Sequence, residues 1–166
     1  MTLKARVTGG SRACLFSLEL YIGRMDIVSK AVRSRMMAAV KSRNTSIEKL
    51  VFWELRRSGV RFRKHYGLLP GTPDLAFPDR RKAIFIDGDF WHGYRYPAWR
   101  TKIKSRFWRG KIEANRRRDR RNFRNIRELG WVVMRVWEHD LKRNAEETFA
   151  RIYRFIGRNC SDKCER

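Results

Sequence analysis

Cysteine is scarce in this 166-residue chain, and its three cysteines, Cys14, Cys160 and Cys164, lie close to the two ends. Small secreted domains that depend on disulfides carry an even set of cysteines at framework spacing. The odd count and the terminal positions therefore exclude a disulfide-stapled scaffold. We expect free thiols in a protein of a reducing interior compartment.

Long apolar runs are also missing. No segment approaches the ~20 consecutive apolar residues of a membrane-spanning helix. The apolar patch at 13–22 is short and is interrupted by Glu19, which is not typical of a signal peptide. We therefore expect no membrane association, and we interpret residues 1–24 as an extension outside the folded unit.

Acidic residues are few relative to basic ones. The chain has 40 Lys and Arg against 17 Asp and Glu, a net charge of +23. Such a positive field attracts polyanions, and binding that depends on it weakens steeply with salt. The composition therefore predicts DNA or RNA as the partner.

The remaining pattern indicates one α/β domain over residues 25–157 and a polar tail at 158–166. Thr45 and Glu48 have the spacing of a capping box, which predicts a helix that stops at Gly59. Apolar runs predict strands at 60–65, 75–77, 83–87 and 131–137, and helical spacing predicts helices at 104–129 and 149–156. Strands joined through a long helix indicate a mixed central sheet flanked by helices on both faces.

Acidic residues cluster where two of the predicted strands meet. Asp74 precedes one strand, Asp87 and Asp89 end the next, and His92 follows. The turn at 78–80 predicts a hairpin that brings these side chains to one edge. Carboxylates bind hard cations such as Mg²⁺, and a metal beside a phosphate neutralises charge during its transfer. In so basic a chain, this pattern indicates Mg²⁺-dependent cutting of a nucleic acid backbone.

A resemblance that runs from residue 29 to 156 in one unbroken order is more specific. The matching stretches include Arg33-Ser34, Met36-Met37, Asn44-Thr45-Ser46-Ile47-Glu48-Lys49, Pro70-Gly71-Thr72-Pro73-Asp74, Phe85-Ile86-Asp87-Gly88-Asp89-Phe90-Trp91-His92, Arg118-Asp119-Arg120-Arg121 and Val136-Trp137-Glu138. The chain resembles the very short patch repair (Vsr-type) mismatch endonucleases of the PD-(D/E)xK nuclease superfamily. The resemblance implies a restriction-endonuclease-like fold and a Mg²⁺-dependent monomer in the bacterial cytoplasm, associated with the nucleoid. Such an enzyme nicks one strand of duplex DNA beside a T·G mismatch, with mismatch-repair proteins as further partners.

The resemblance also implies roles for single residues. Asp74 is the essential metal ligand together with the backbone carbonyl of Ile86, and His92 is the general base, since the usual (D/E)xK lysine is missing. Asp87 stands where the family carries His or Asp. A role in supporting the first metal ligands or in binding a second metal, and a plain turn role with Gly88, are equally open. Glu48 matches an acidic residue near the family's active site, but its capping-box spacing favours a structural role.

Phe90, Trp91 and Met37 match aromatic and apolar wedges that insert between bases beside the mismatch. Flat apolar side chains offset the cost of unstacking, which is lowest at a weakly paired mismatch. The alternative for Phe90 and Trp91 is ordinary core packing. For Met37, helix packing is nearly as strong an interpretation.

Residues 100–127 contain 13 basic residues against two acidic ones, Glu113 and Asp119. On a helix of a nuclease we interpret this run as phosphate-binding, which gives affinity with little sequence choice. The predicted ligands are Lys111, Arg116, Arg117, Arg118, Arg120 and Arg121. Asn115 and Asp119 match family positions that would orient those arginines or His92, although an intrahelical salt bridge also explains Asp119.

One departure from the family concerns a structural zinc held by three cysteines and a histidine. The matching positions here are Asp89, Tyr94, Tyr96 and His139. Tyrosine is a poor zinc ligand, so we expect no structural zinc. We expect a hydrogen bond between Asp89 and His139, with tyrosine packing, in its place.

Two other functions stay open from the sequence alone. A restriction-type or homing-type endonuclease would cut intact duplex at a chosen sequence. A catalytically decayed DNA-binding protein would keep the wedges and the basic helix without cutting. An RNA-directed nuclease fits less well, because wedge insertion serves duplex DNA.

Overall fold

A computed structural model describes residues 43–157 together with Ser29, Ala31, Ser34 and Arg35. The predictions for residues 1–24, for Met37 and for the tail at 158–166 lie outside the described residues. None of the described helices is both long enough and apolar enough to cross a membrane.

The described chain alternates helices and strands around a four-stranded sheet. Its elements are α1 (Ser46–Arg57), β1 (Arg63–Lys64), β2 (Leu75–Phe77), β3 (Lys82–Asp87), α2 (Tyr96–Trp99), α3 (Arg106–Glu128), β4 (Val132–Trp137), α4 (Glu138–Arg143) and α5 (Ala145–Ile156). Short 3₁₀ turns occupy Pro78–Arg80 and Arg100–Lys102.

The strand order is β1-β2-β3-β4. The first three strands are antiparallel neighbours, with Leu75 opposite Ile84, whereas β3 and β4 run parallel. Parallel strands cannot be joined by a tight turn, and the long helix α3 provides the crossover between them. The mixed sheet confirms the predicted α/β class.

Alternation along β3 explains why helices cover both faces of the sheet. Ile84 belongs to one core cluster with Leu55 of α1 and Ile152 of α5. Its neighbour Phe85 points the other way, into a second cluster with Ile126 of α3. Successive side chains of a strand face opposite sides, so a nearly continuous apolar strand is buried between two layers.

The predicted first strand at 60–65 is too long, and the observed β1 contains only Arg63–Lys64. On one side, the N–H of Val60 bonds to the carbonyl of Leu55 and closes the end of α1. On the other side, His65 has a φ of +44°, which ends the extended conformation. The other predicted elements differ from the observed ones only near their ends, and the capping box at Thr45 and Glu48 is confirmed.

A third cluster supports the loop that follows β3. It contains Phe90, Tyr96, Trp99, Ile103, Trp108 and Ile112. The side chain of Trp99 also donates to the carbonyl of Tyr94 at 2.6 Å. This small aromatic core fixes the loop against α3, and the loop carries His92.

Candidate active site

The predicted catalytic residues meet in one cleft of about 850 Å³, enclosed by the start of α1, the hairpin β2–β3 and one face of α3. Because β2 and β3 are antiparallel, the residue before β2 lies beside the end of β3. This brings Asp74 next to Ile86 and Asp87. The cleft lining also includes Glu48, His92 and Asp119.

Asp74 lies at the centre of the first acidic group. Its Oδ2 accepts a hydrogen bond from the N–H of Ile86 at 2.7 Å, and its Oδ1 lies 3.8 Å from Nδ1 of His65. Glu48 Oε2 is 3.7 Å from the other ring nitrogen of His65. Each of these three side chains offers one ligand atom within 4.8 Å of the others, a set that can hold a cation.

The pKa of Asp74 rises from 3.8 to about 7. Burial is the main cause, and the charges of Glu48 and Asp87 add to it, while the Ile86 N–H works in the opposite direction. A buried carboxyl group beside two other acidic side chains favours a proton or a bound cation.

This shift predicts a pH-dependent cost to stability. Between about pH 4 and pH 7 the folded chain retains a proton on Asp74 that the unfolded chain has released, so stability falls as the pH rises through that range. Asp74→Asn cannot ionise and is expected to raise the free energy of unfolding by about 2–4 kcal/mol at pH 8. At pH 4 the two proteins should be nearly equal. Urea denaturation in EDTA measures this, with the exposed Asp79→Asn as the control, and an equal gain at both pH values would contradict it.

Glu48 caps α1 and also lines the cleft. Its carboxylate accepts bonds from the N–H of Asn44 at 2.8 Å and from Oγ1 of Thr45 at 2.8 Å, and it completes the capping box. The same side chain is only 2% exposed and faces the cleft beside His65. The start of α1 is therefore tied directly to the acidic group around Asp74.

His92 lies between two carboxylates. Its Nδ1 is 2.7 Å from Oδ2 of Asp119, and its Nε2 is 3.3 Å from Oδ1 of Asp87. An ionised carboxylate only accepts, so we assign the Nδ1 proton as donated to Asp119. This tautomer leaves Nε2 on the side of Asp87 and the cleft, where it can accept a proton.

The two carboxylates beside His92 differ in their pKa. Burial raises the pKa of Asp87, although the charges of His92 and Arg135 partly offset it. For Asp119, burial acts in the same direction but is outweighed by the hydrogen bond and charge of His92 and by Arg135, so its pKa is lowered. Asp119 is therefore the ionised hydrogen-bond partner of the imidazole. Oδ1 of Asp119 also lies 3.6 Å from Nη2 of Arg118. This ion pair within α3 is the alternative explanation for an aspartate at this position.

The two aromatic residues before His92 occupy different positions. Phe90 is only 7% exposed and stacks on Trp99 with ring centroids 5.9 Å apart. Trp91 is half-buried, lines the cleft and has its backbone carbonyl held by Asn115 at 3.0 Å. Trp91 is therefore the aromatic side chain at the rim, with Phe90 packed against it.

The structure separates the six predicted phosphate ligands by the face of α3 on which they lie. Lys111 and Arg118 line the cleft, and Arg43 joins them from the start of the described chain. Arg116 packs over the ring of Tyr96 at 5.1 Å. The other three, Arg117, Arg120 and Arg121, are exposed and, at about 100° per residue, point to other faces of the helix.

Asp89, Tyr94 and His139 contact one another directly. Nδ1 of His139 is 2.7 Å from Oδ1 of Asp89, so the predicted hydrogen bond is present. The ring of Tyr94 lies 4.1 Å from that of His139, centroid to centroid. Tyr96 points elsewhere and donates its hydroxyl to Glu113 at 3.1 Å.

Two further residues contact the acidic groups without an evident sequence signal for that role. His65 lies between Glu48 and Asp74. Arg135 has its Nε 2.6 Å from Oδ2 of Asp87 and its Nη2 2.8 Å from Oδ2 of Asp119. The sequence marks Arg135 only as a single charge in the otherwise apolar run at 132–137.

Comparison with known proteins identifies relatives of this chain. Residues 25–97 match the family model described as DNA mismatch endonuclease Vsr. The chain is 43% identical to the type II nicking enzyme V.XorIIP of Xanthomonas oryzae, over 70% of this chain and 86% of that protein. It is 41% identical to the DNA mismatch endonuclease Vsr of Escherichia coli, over 70% of this chain and 76% of that protein. For the type II nicking enzyme V.HpaIIP of Haemophilus parainfluenzae the identity is 37%, over 82% and 99% of the two chains.

Proposed function

Because the chain belongs to the Vsr family of DNA mismatch endonucleases and is a DNA nicking endonuclease, we propose that it cuts one strand of duplex DNA beside a T·G mismatch with Mg²⁺ as its cofactor. The observation that carries this proposal is the meeting of Asp74 and His92 in one cleft with basic side chains at its edge. A metal ligand and a proton acceptor on one cleft are the two groups that phosphodiester hydrolysis needs.

The donor set around Asp74 fits a single divalent cation. Asp74 and Glu48 provide carboxylate oxygens, His65 provides a ring nitrogen, and the three ligand atoms lie within 4.8 Å of one another. Ile86, whose backbone carbonyl is the further predicted ligand, lines the same cleft. When bound there, Mg²⁺ neutralises charge on the phosphate and lowers the pKa of a water molecule.

Other residues of the cleft supply the proton acceptor, the phosphate contacts and the apolar surface. His92 accepts the proton of the attacking water at Nε2, while Asp119 holds the ring through Nδ1. Lys111 and Arg118 at the cleft edge bind the phosphate backbone without choosing a sequence. Trp91 at the rim supplies the flat apolar surface that favours a weakly paired base step.

The names of the relatives include both a mismatch endonuclease and type II nicking enzymes, so the substrate is the point to test. A pool of labelled duplexes with a central T·G pair and randomised flanking bases, compared with the same pool carrying T·A, is incubated with Mg²⁺ or with EDTA. We expect Mg²⁺-dependent nicks in the T·G pool alone, and sequencing of the nicked strands identifies the flanking bases. Equal nicking of the T·A pool would instead support a nicking enzyme that acts on intact duplex. Retained binding without any nick would support a decayed DNA-binding protein.

We also propose that the fold needs no structural zinc, because the contacts of Asp89, Tyr94 and His139 close the position. Metal analysis of the purified protein should give less than about 0.1 equivalent of zinc, since a structural zinc site binds tightly enough to be retained. In buffer without Mg²⁺, the melting temperature should not change on addition of EDTA. One equivalent of zinc, or a large drop in melting temperature with chelator, would contradict this prediction.

A further inference from the structure

Arg135 extends from β4 toward two of the carboxylates that line the cleft. It pairs with Phe85 in the parallel register between β3 and β4, and its side chain extends toward Asp87 at the end of β3. Its guanidinium contacts two carboxylates at once, with Nε 2.6 Å from Asp87 and Nη2 2.8 Å from Asp119. These are the same two carboxylates that flank His92.

Two aromatic rings fix the guanidinium in this position. The carbon at its centre lies 4.6 Å from the ring centroid of Phe123 and 4.9 Å from that of Trp137. Contacts of this kind favour a planar cation and restrict its rotation. The side chain is only 22% exposed, so Arg135 belongs to the interior of the site rather than to its phosphate-binding edge.

Without that guanidinium, the second acidic group would itself suit a cation. Asp87, His92 and Asp119 offer three ligand atoms within 4.8 Å of one another. The group around Asp74 has the same kind of donor set, and within the described part of the chain no ion pair joins its carboxylates to an arginine. The second group differs in its direct contacts with Arg135.

We propose that Arg135 occupies the cation position between Asp87 and Asp119, so that this second acidic group binds no divalent metal and its carboxylates hold His92 in its working orientation. Arg135 is thus a positioning residue that acts through Asp87 and Asp119. The inference that it affects the rate depends on the proposed nicking function, whereas its effect on metal binding does not.

Counting Mn²⁺ tests the metal part directly. Titrations followed by electron paramagnetic resonance should give one tight equivalent for the wild type and none for Asp74→Asn. Arg135→Met should bind a second equivalent, and adding Asp119→Asn to that variant should remove it. An Asp74→Asn protein that still binds one Mn²⁺, or an Arg135→Met protein that gains none, would overturn the proposal. The Asp74→Asn titration keeps Arg135 intact. It therefore shows whether the group of Asp87, His92 and Asp119 binds a metal beside Arg135, even if Arg135→Met does not fold.

Single-turnover nicking tests the positioning part. Arg135→Lys keeps a charge but loses the two-pronged contact, and we expect it to nick about tenfold more slowly, a typical cost of losing a supporting partner. Its KM for DNA should stay unchanged, and Mn²⁺ binding should remain at one equivalent. The control Arg57→Met also removes an arginine from a carboxylate pair, with Glu54, away from the cleft, and should nick at the wild-type rate.

If Arg135→Lys and Arg135→Met both nick at the wild-type rate, the positioning role is overturned. A wild type that nicks no duplex at all would refute the proposed function instead. In that case the Mn²⁺ counts still decide whether Arg135 excludes a second metal.

Discussion

Asp74→Asn is expected to slow strand nicking by at least about a thousandfold while leaving duplex binding nearly unchanged. The substitution preserves the shape of the side chain and an oxygen that can accept from the Ile86 N–H, but it removes the charge that would hold the metal. DNA affinity should survive because the basic side chains at the cleft edge, Lys111 and Arg118, are untouched.

The measurement is a single-turnover assay at saturating enzyme, combined with a gel-shift titration in EDTA. The control is Asp79→Asn, the same change on the exposed turn of the same hairpin. Nicking by Asp74→Asn at more than a tenth of the wild-type rate would show that another residue anchors the chemistry. A parallel loss of DNA affinity would show that the substitution acts on binding instead.

His92→Gln is expected to reduce the nicking rate by about 10²–10⁴-fold, the usual contribution of a positioned general base. Asp119→Asn should cost about 10–100-fold, since it leaves the imidazole in place without its orienting carboxylate. In the double variant the losses in activation free energy should not add, because both substitutions act through the imidazole of residue 92. The rate constants come from the single-turnover assay, with Asp140→Asn as the control for an acidic residue outside the cleft.

Fully additive losses would contradict the coupling of His92 and Asp119. A His92→Gln protein that nicks as fast as the wild type would remove the histidine from the mechanism. In that case the raised pKa of Asp87 would make that carboxyl group the next candidate for the proton acceptor.

The parts of the fold that could be predicted are those in which residues close in the chain determine the local structure. The capping box at Thr45 and Glu48 begins α1 as expected, and the run predicted as a strand at 83–87 lies in β3. The meeting of Asp74 with Asp87 could also be predicted, because a tight hairpin brings the start of one strand to the end of the other.

Features that depend on distant pairing could not be predicted in the same way. Arg135 reaches Asp87 only because β3 and β4 pair in one particular parallel register. His65 faces Glu48 and Asp74 through a left-handed backbone conformation that its residue type does not signal. The first feature depends on residues far apart in the chain, and the second depends on a single backbone conformation.

The basic helix shows an intermediate case. Helical spacing places Lys111 and Arg118 on one side of α3 and Arg117 and Arg121 on another, but the sequence alone does not say which side faces the cleft. The structure decides this because the buried residues of α3, among them Ile112, set its rotation. The same limit applies to Phe90, because an aromatic residue that inserts between bases and one that packs in the core look alike in the sequence. Only the structure shows that Phe90 stacks on Trp99.

Metal binding at Asp74 is tested most directly by anomalous diffraction from a crystal of the protein grown with Mn²⁺ and a duplex containing T·G. We predict one Mn²⁺ peak within coordination distance of the Asp74 carboxylate, about 2.1 Å for the Mg²⁺ it replaces, with a phosphate oxygen as a further ligand. No peak is expected between Asp87 and Asp119, where Arg135 lies. A metal bound elsewhere in the cleft, with Asp74 making no contact to it, would contradict the assignment of this carboxylate as the metal anchor.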